Sequence, residues 1–156
     1  MESGYIFIED NVFPTLLAIS ADEQSKGLMF EKFPPPIMSF IYTEPQINKF
    51  WMKNTPSPLD IIFCCDGEIK QICVGEPYST QTIGGDNPSN LVIELPFGIV
   101  HQSVIKLGNK VGFIAPTELE LKKIIAKKYN KFVKFWDLAP HNFRDYICSM
   151  AGECLL

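Results

Sequence analysis

Apolar residues along the first two thirds of the chain come in short runs broken by Gly, Pro, Asn and Asp, the punctuation of a strand-rich domain. Residues 5–8 and 15–19 are predicted strands flanking an "EDNVFP" turn. In "SADEQSKGLM", Ser20 precedes Glu23 by three positions, the capping-box spacing, so a short helix is predicted from about Ala21 to Leu28. The prolines of "FPPP" cannot continue it. "IMSFIY" (37–42) has the length and composition of a buried strand, with "TEPQIN" as the loop after it.

"IIFCCDGEIKQICV" carries the strongest local signal, because Asp66-Gly67 suits a two-residue hairpin turn with positive φ at both positions. An uninterrupted register pairs Cys64 with Ile69, Cys65 with Glu68 and Cys73 with Asp60, leaving no two cysteines face to face. Residues 78–90 read as a Gly/Pro/Ser/Asn-rich loop, and "LVIEL" (91–95) as an apolar strand carrying one acid, Glu94. A short helix over about Ile99 to Ile105 and a last strand follow.

From Thr117 the period changes to that of an amphipathic helix, with Leu121, Ile124, Ile125, Tyr129, Phe132, Phe135 and Trp136 on one face and Lys123, Lys127, Lys131 and Lys134 opposite. Two units result: a β-rich domain over 1–115 and a helical extension over 116–156. Lys123 and Lys127, with the apolar Phe132, Phe135 and Trp136, make the extension a candidate for docking on a protein partner or for self-association.

Composition narrows the function classes. The net charge of -4 argues against a general nucleic-acid binder, which needs clustered cations to neutralise phosphates. The start of the chain is acidic and lacks a basic, continuously apolar leader, and no run is long enough to span a membrane; the expectation is a cytoplasmic protein. The five cysteines are expected to be free thiols. Lysine at all but one of the 14 basic positions suggests an AT-rich coding genome, as in some viruses and marine bacteria; a viral origin would put the protein in a virion or in host cytoplasm. His101 and His141 stand apart from other ligand types, so no metal or cofactor is expected.

The unusual stretch is "FWMKNTPSPLDIIF" (50–63), which sets Lys53, Asn54 and Asp60 in an apolar run interrupted by Pro56 and Pro58. The prolines push Thr55 and Ser57 toward extended backbone, giving a stiff connector that returns to the sheet at Leu59. Glu94 on its apolar strand needs a partner, since an ionised carboxylate costs several kcal/mol to bury alone. Lys53 and Asn54 are the candidates. Three readings stand: a structural polar cluster pairing Lys53 with Asp60 or Glu94, a ligand pocket walled by Trp51 and Met52 with Lys53, Asn54 and Asp60 as polar contacts, and a catalytic lysine.

These strings, with "GLM" (27–29), "PPPIMSFIY" (34–42), "DGEI" (66–69) and "IELPFG" (93–98), resemble in order and spacing the domain of unknown function family 192 over roughly residues 17–113. The resemblance implies a mainly β (α+β) fold, a compact barrel-like sheet with short helices. Carried over position by position, its recurrent polar residues are Lys53, Asn54, Thr55, Asp60 and Glu94, beside Trp51 and Met52. The segment after about Thr117 lies outside it. The expected function is a non-catalytic domain that binds a small molecule or glycan near Trp51–Asp60. The alternative is a structural or assembly protein, of a virus or otherwise, that docks through its C-terminal helix.

Overall fold

A computed structural model of the chain describes residues 1–113. The predicted extension over 116–156 lies outside the described residues. The elements run β1 (Glu2–Ile8), β2 (Asn11–Ala18), α1 (Ala21–Lys26), β3 (Met38–Gln46), β4 (Lys49–Phe50), β5 (Leu59–Cys65), β6 (Glu68–Gly75), β7 (Ile83–Gly84), β8 (Ser89–Pro96), α2 (Ile99–Gln102) and β9 (Val111–Phe113). Seven strands form one sheet in the order β6-β5-β8-β3-β2-β1-β9, and β4 pairs with β7 in a small second sheet. Only the β2–β3 pairing is parallel among the described residues.

The large sheet curls into a half-barrel, mainly β as expected. Its far edges are tied together where the β6 end meets the segment leading into β9: Val111 N–H donates to the Gly67 carbonyl at 2.9 Å and Ile69 N–H to that of Asn109 at 3.0 Å. Curling gives the sheet two unequal faces. The inner face gathers Ile6, Ile8, Ile62, Cys64, Ile69, Leu91, Ile93, Leu95 and Val111 from strands at both ends of the order. The outer face carries Met38, Phe40, Leu59, Ile61, Phe63 and Val92, packed with Ala18, with Leu28 just after α1 and with Met52 of the connector. Strands β5 and β8 are therefore buried on both sides, which is why they read as continuous apolar runs and not as alternating ones.

Local chemistry sets the element ends. The capping box forms as its spacing predicts: Glu23 N–H donates to Ser20 Oγ at 3.2 Å and Ser20 N–H to Glu23 Oε1 at 3.0 Å. Helix α1 stops earlier than expected, at Gly27, whose φ is +51°. The first two strands run longer than expected, with a turn of only Glu9 and Asp10, because the Asn11 amide fastens it by donating to the Ile8 and Ser103 carbonyls. Helix α2 is a single turn over Ile99–Gln102, shorter than the predicted segment.

Asp66 and Gly67 take φ of +50° and +81°, as the hairpin requires. Cys64 pairs with Ile69 and Cys65 with Glu68, but a bulge between Phe63 and Cys64 places Gln71 opposite Phe63 and Cys73 opposite Ile61. The uninterrupted register that put Cys73 opposite Asp60 is corrected: the extra residue, Lys70, shifts everything beyond it by one position. Cys64, Cys65 and Cys73 are free thiols.

The two sheets come close together at Gly84. A Cβ on Gly84, at φ +83°, would stand 2.1 Å from the Phe63 ring. Gly84→Ala should lower unfolding free energy by about 2–4 kcal/mol, the sum of overpacking and a left-handed backbone. Urea denaturation checks this; a loss below about 0.5 kcal/mol, the range of an ordinary surface substitution, would contradict the packing described.

Candidate functional site

The connector between β4 and β5 is held by hydrogen bonds to several segments. Met52 N–H donates to the Ser79 carbonyl and Tyr78 N–H to that of Thr55; Phe30 N–H donates to the Asn54 carbonyl, Ser57 Oγ to that of Glu31, and Phe97 N–H to that of Pro58. A turn closes from Thr55 N–H to the Met52 carbonyl, with Asn54 at φ +55°, a conformation asparagine tolerates better than most residues. Met52 is fully buried, and its sulfur lies so close to the Gly75 backbone that a Cβ there would stand 2.5 Å away. The bend expected from the prolines is present.

Its polar residues do not converge. Asp60 pairs across the sheet with Leu95, and Glu94 with Ile61, so the two acids project from opposite faces. Asp60 Oδ2 accepts from Gly98 N–H and Val100 N–H at 3.0 Å each and thereby caps the α2 turn. Burial pushes its pKa up to about 7 against the lowering effect of these two amides. Lys53 is exposed, with its ammonium 5.2 Å from the Trp51 ring centroid. It joins no ion pair among the described residues. The expected pairing of Lys53 with Asp60 or Glu94 is thus corrected: the sheet's alternation separates the acids, and the turn at Asn54 sends the lysine outward.

Glu94 defines a different centre. It is 4% exposed, flanked across the ladder by Met38 and Ile61, and no hydrogen-bond donor among the described residues reaches its carboxyl group. Burial alone raises its pKa to about 8. It forms the floor of a cavity of about 330 Å³ between α1, β3 and the connector. Phe40, Tyr42, Phe50 and Trp51 wall this cup; Phe40 and Phe50 meet edge to face at 4.9 Å. Burial, and then the Glu94 charge, push the Tyr42 phenol up to about 12.

Gly27 gives access to the carboxyl, since a Cβ there would stand 3.5 Å from Glu94 Oε1 and 3.4 Å from the Phe40 ring. Lys26, Lys49 and Gln24 also line the cup. The Gln24 amide nitrogen is committed to the Ala18 and Ile41 carbonyls, which ties α1 to β2 and β3.

Of the residues expected from sequence, Trp51, Thr55 and Glu94 line the cup, while Lys53, Asn54 and Asp60 do not. Tyr42, Phe50, Gly27 and the two lysines were missed. For Tyr42 a signal existed: it shares the parity of Met38, which lies opposite Glu94. Lys123, Lys127, Phe132, Phe135 and Trp136 lie outside the described residues. No helix among the described residues is long and apolar enough to cross a membrane.

The cup thus combines aromatic walls with an acid floor on a curled, mainly β sheet. The chain belongs to the DUF192 family (uncharacterized ACR), which matches residues 6–113. It is similar to a solved protein of unknown function from Novosphingobium aromaticivorans DSM 12444, at 32% identity and a TM-score of 0.67, covering 70% of this chain and 84% of that one. It is also similar to a solved chain from Sinorhizobium meliloti 1021, described there as a proposed transcription regulator, at 27% identity and a TM-score of 0.66, covering 72% and 94%. No curated protein matches.

Two outcomes follow for stability. Asp60→Ala leaves two inward-facing N–H groups without their acceptor and should cost on the order of 2–5 kcal/mol, read from denaturant midpoints; a near-neutral effect would contradict the capping role. The folded-state pKa values of Asp60 and Glu94 lie above their ordinary values of 3.8 and 4.5, so between these and about 7 to 8 the folded state holds protons that the unfolded state has released. The stabilisation from these groups is complete below pH 4 and is lost as pH rises to about 8, by on the order of a few kcal/mol. Glu94→Gln should flatten that slope in a denaturation series across this window, and an unchanged slope would count against a buried Glu94 carboxyl.

Proposed function

We propose that the domain is a non-catalytic binding module whose cup takes a small polar organic molecule, with glycans among the classes to be tested. The observation that carries this reading is the Glu94 carboxyl, buried, without a donor among the described residues, and open to a cavity walled by aromatic rings. In the cup a ligand would offer hydrogen-bond donors to this carboxyl, while the rings would bury its apolar surface. Trp51 and Thr55 line the cup from the connector, and Lys53 contributes through its contact with Trp51.

Asp60 faces the other side of the sheet, so it forms no two-carboxyl catalytic arrangement with Glu94. The regulator description of the Sinorhizobium meliloti chain finds no support in this chain's charge of -4.

A thermal-shift screen of metabolites and glycans tests the reading. A hit should raise the melting temperature of the wild type. Glu94→Gln should abolish the shift, and Trp51→Ala should weaken binding by about tenfold, roughly 1.4 kcal/mol. Hits indifferent to both substitutions would place the ligand elsewhere and end the proposal.

A further inference from the structure

The charges around the cup are segregated by depth. Its floor holds one acid, Glu94, enclosed by Met38, Ile61 and Phe40. Its lining also includes two cations, Lys26 at the end of α1 and Lys49 on β4, and both residues are solvent-exposed. Neither lysine forms an ion pair among the described residues, so the floor and the lysines do not satisfy each other. Of the walls, Tyr42 and Trp51 offer π-faces that attract cations, and the Lys53 ammonium already lies over the Trp51 ring. A buried acid beneath aromatic rings suits a positive group, while exposed lysines suit a negative one.

We infer that the cup recognises a zwitterion, an organic ammonium compound that also carries an anionic group, with its cation seated on Glu94 and its anion turned to Lys26 and Lys49. The chemical class is that of free amino acids and betaines. The inference rests on the cup being a ligand site, and it deepens that reading by naming the ligand's charge pattern. The sugar alternative needs no charge on either side. The titratable and charged groups that line the cup are Glu94 from β8, Tyr42 from β3, Lys26 from α1 and Lys49 from β4.

An ammonium favours the ionised form of Glu94, which burial holds protonated near neutral pH, so binding should release a proton.

The test is titration calorimetry of the full chain with the common amino acids, glycine betaine, choline and 3,3-dimethylbutanoate, which has the shape and carboxylate of betaine but no positive charge. At least one zwitterion should bind, at least tenfold tighter than 3,3-dimethylbutanoate, and release a proton at pH 7 when two buffers of different ionisation enthalpy are compared. Glu94→Gln should remove this binding. Replacing Lys26 and Lys49 by Ala should weaken the zwitterion several-fold and leave choline unchanged.

Equal binding of betaine and its carbon isostere 3,3-dimethylbutanoate, or zwitterion binding without proton release, overturns the inference even if Glu94→Gln does not fold. A neutral sugar whose binding depends on Glu94 overturns the zwitterion and leaves the cup as a binding site. Failure of both ligand classes overturns both.

Discussion

A carboxyl group on a strand buried from both sides constrains everything packed around it. Strand β8 lies between β5 and β3, with the inner core on one face and the outer core on the other, so Glu94 has no route to bulk water along the sheet. Ionising it there without a partner costs several kcal/mol, and the group responds by holding its proton. The surrounding parts leave room at its oxygens: Gly27 has no side chain to fill the space, α1 stops just before it, and the rings of Phe40, Tyr42, Phe50 and Trp51 stand around an opening. A domain selected only for stability would do better with a leucine at this position.

The connector from Trp51 to Pro58 makes that opening durable. Hydrogen bonds to residues in three other segments hold it, the buried Met52 anchors its start against Gly75, and two prolines limit the backbone between. It therefore presents Trp51 and Thr55 to the cup at little entropic cost on binding. Asp60 contributes at a distance: by capping the turn at Gly98, four residues beyond Glu94, it secures the end of β8.

Sequence reasoning reached those parts of the molecule whose cause is local. Ser20 and Glu23 announce a helix start, Asp66-Gly67 a hairpin, and the prolines a bend, because each acts through its nearest neighbours. Glu94 stood out for the same reason, as an acid in "LVIEL". The pairing of Lys53 with the acids failed because it depends on which face Asp60 takes, and a strand buried on both sides carries no alternation to show it. The bulge after Phe63 was likewise invisible, since nothing in "FCCDGEIKQ" marks the unpaired residue. The cup's walls come from α1, β3 and β4, and only the fold brings these segments to Glu94.

The cup depends on the environment of one side chain. Carbon-13 NMR titration of the Glu94 side-chain carboxyl in the folded protein measures it directly. A midpoint near 8, well above the ordinary glutamate range, is the predicted result. A midpoint close to 4.5 would show a well-hydrated or already partnered carboxylate and would contradict the buried floor on which the site is built.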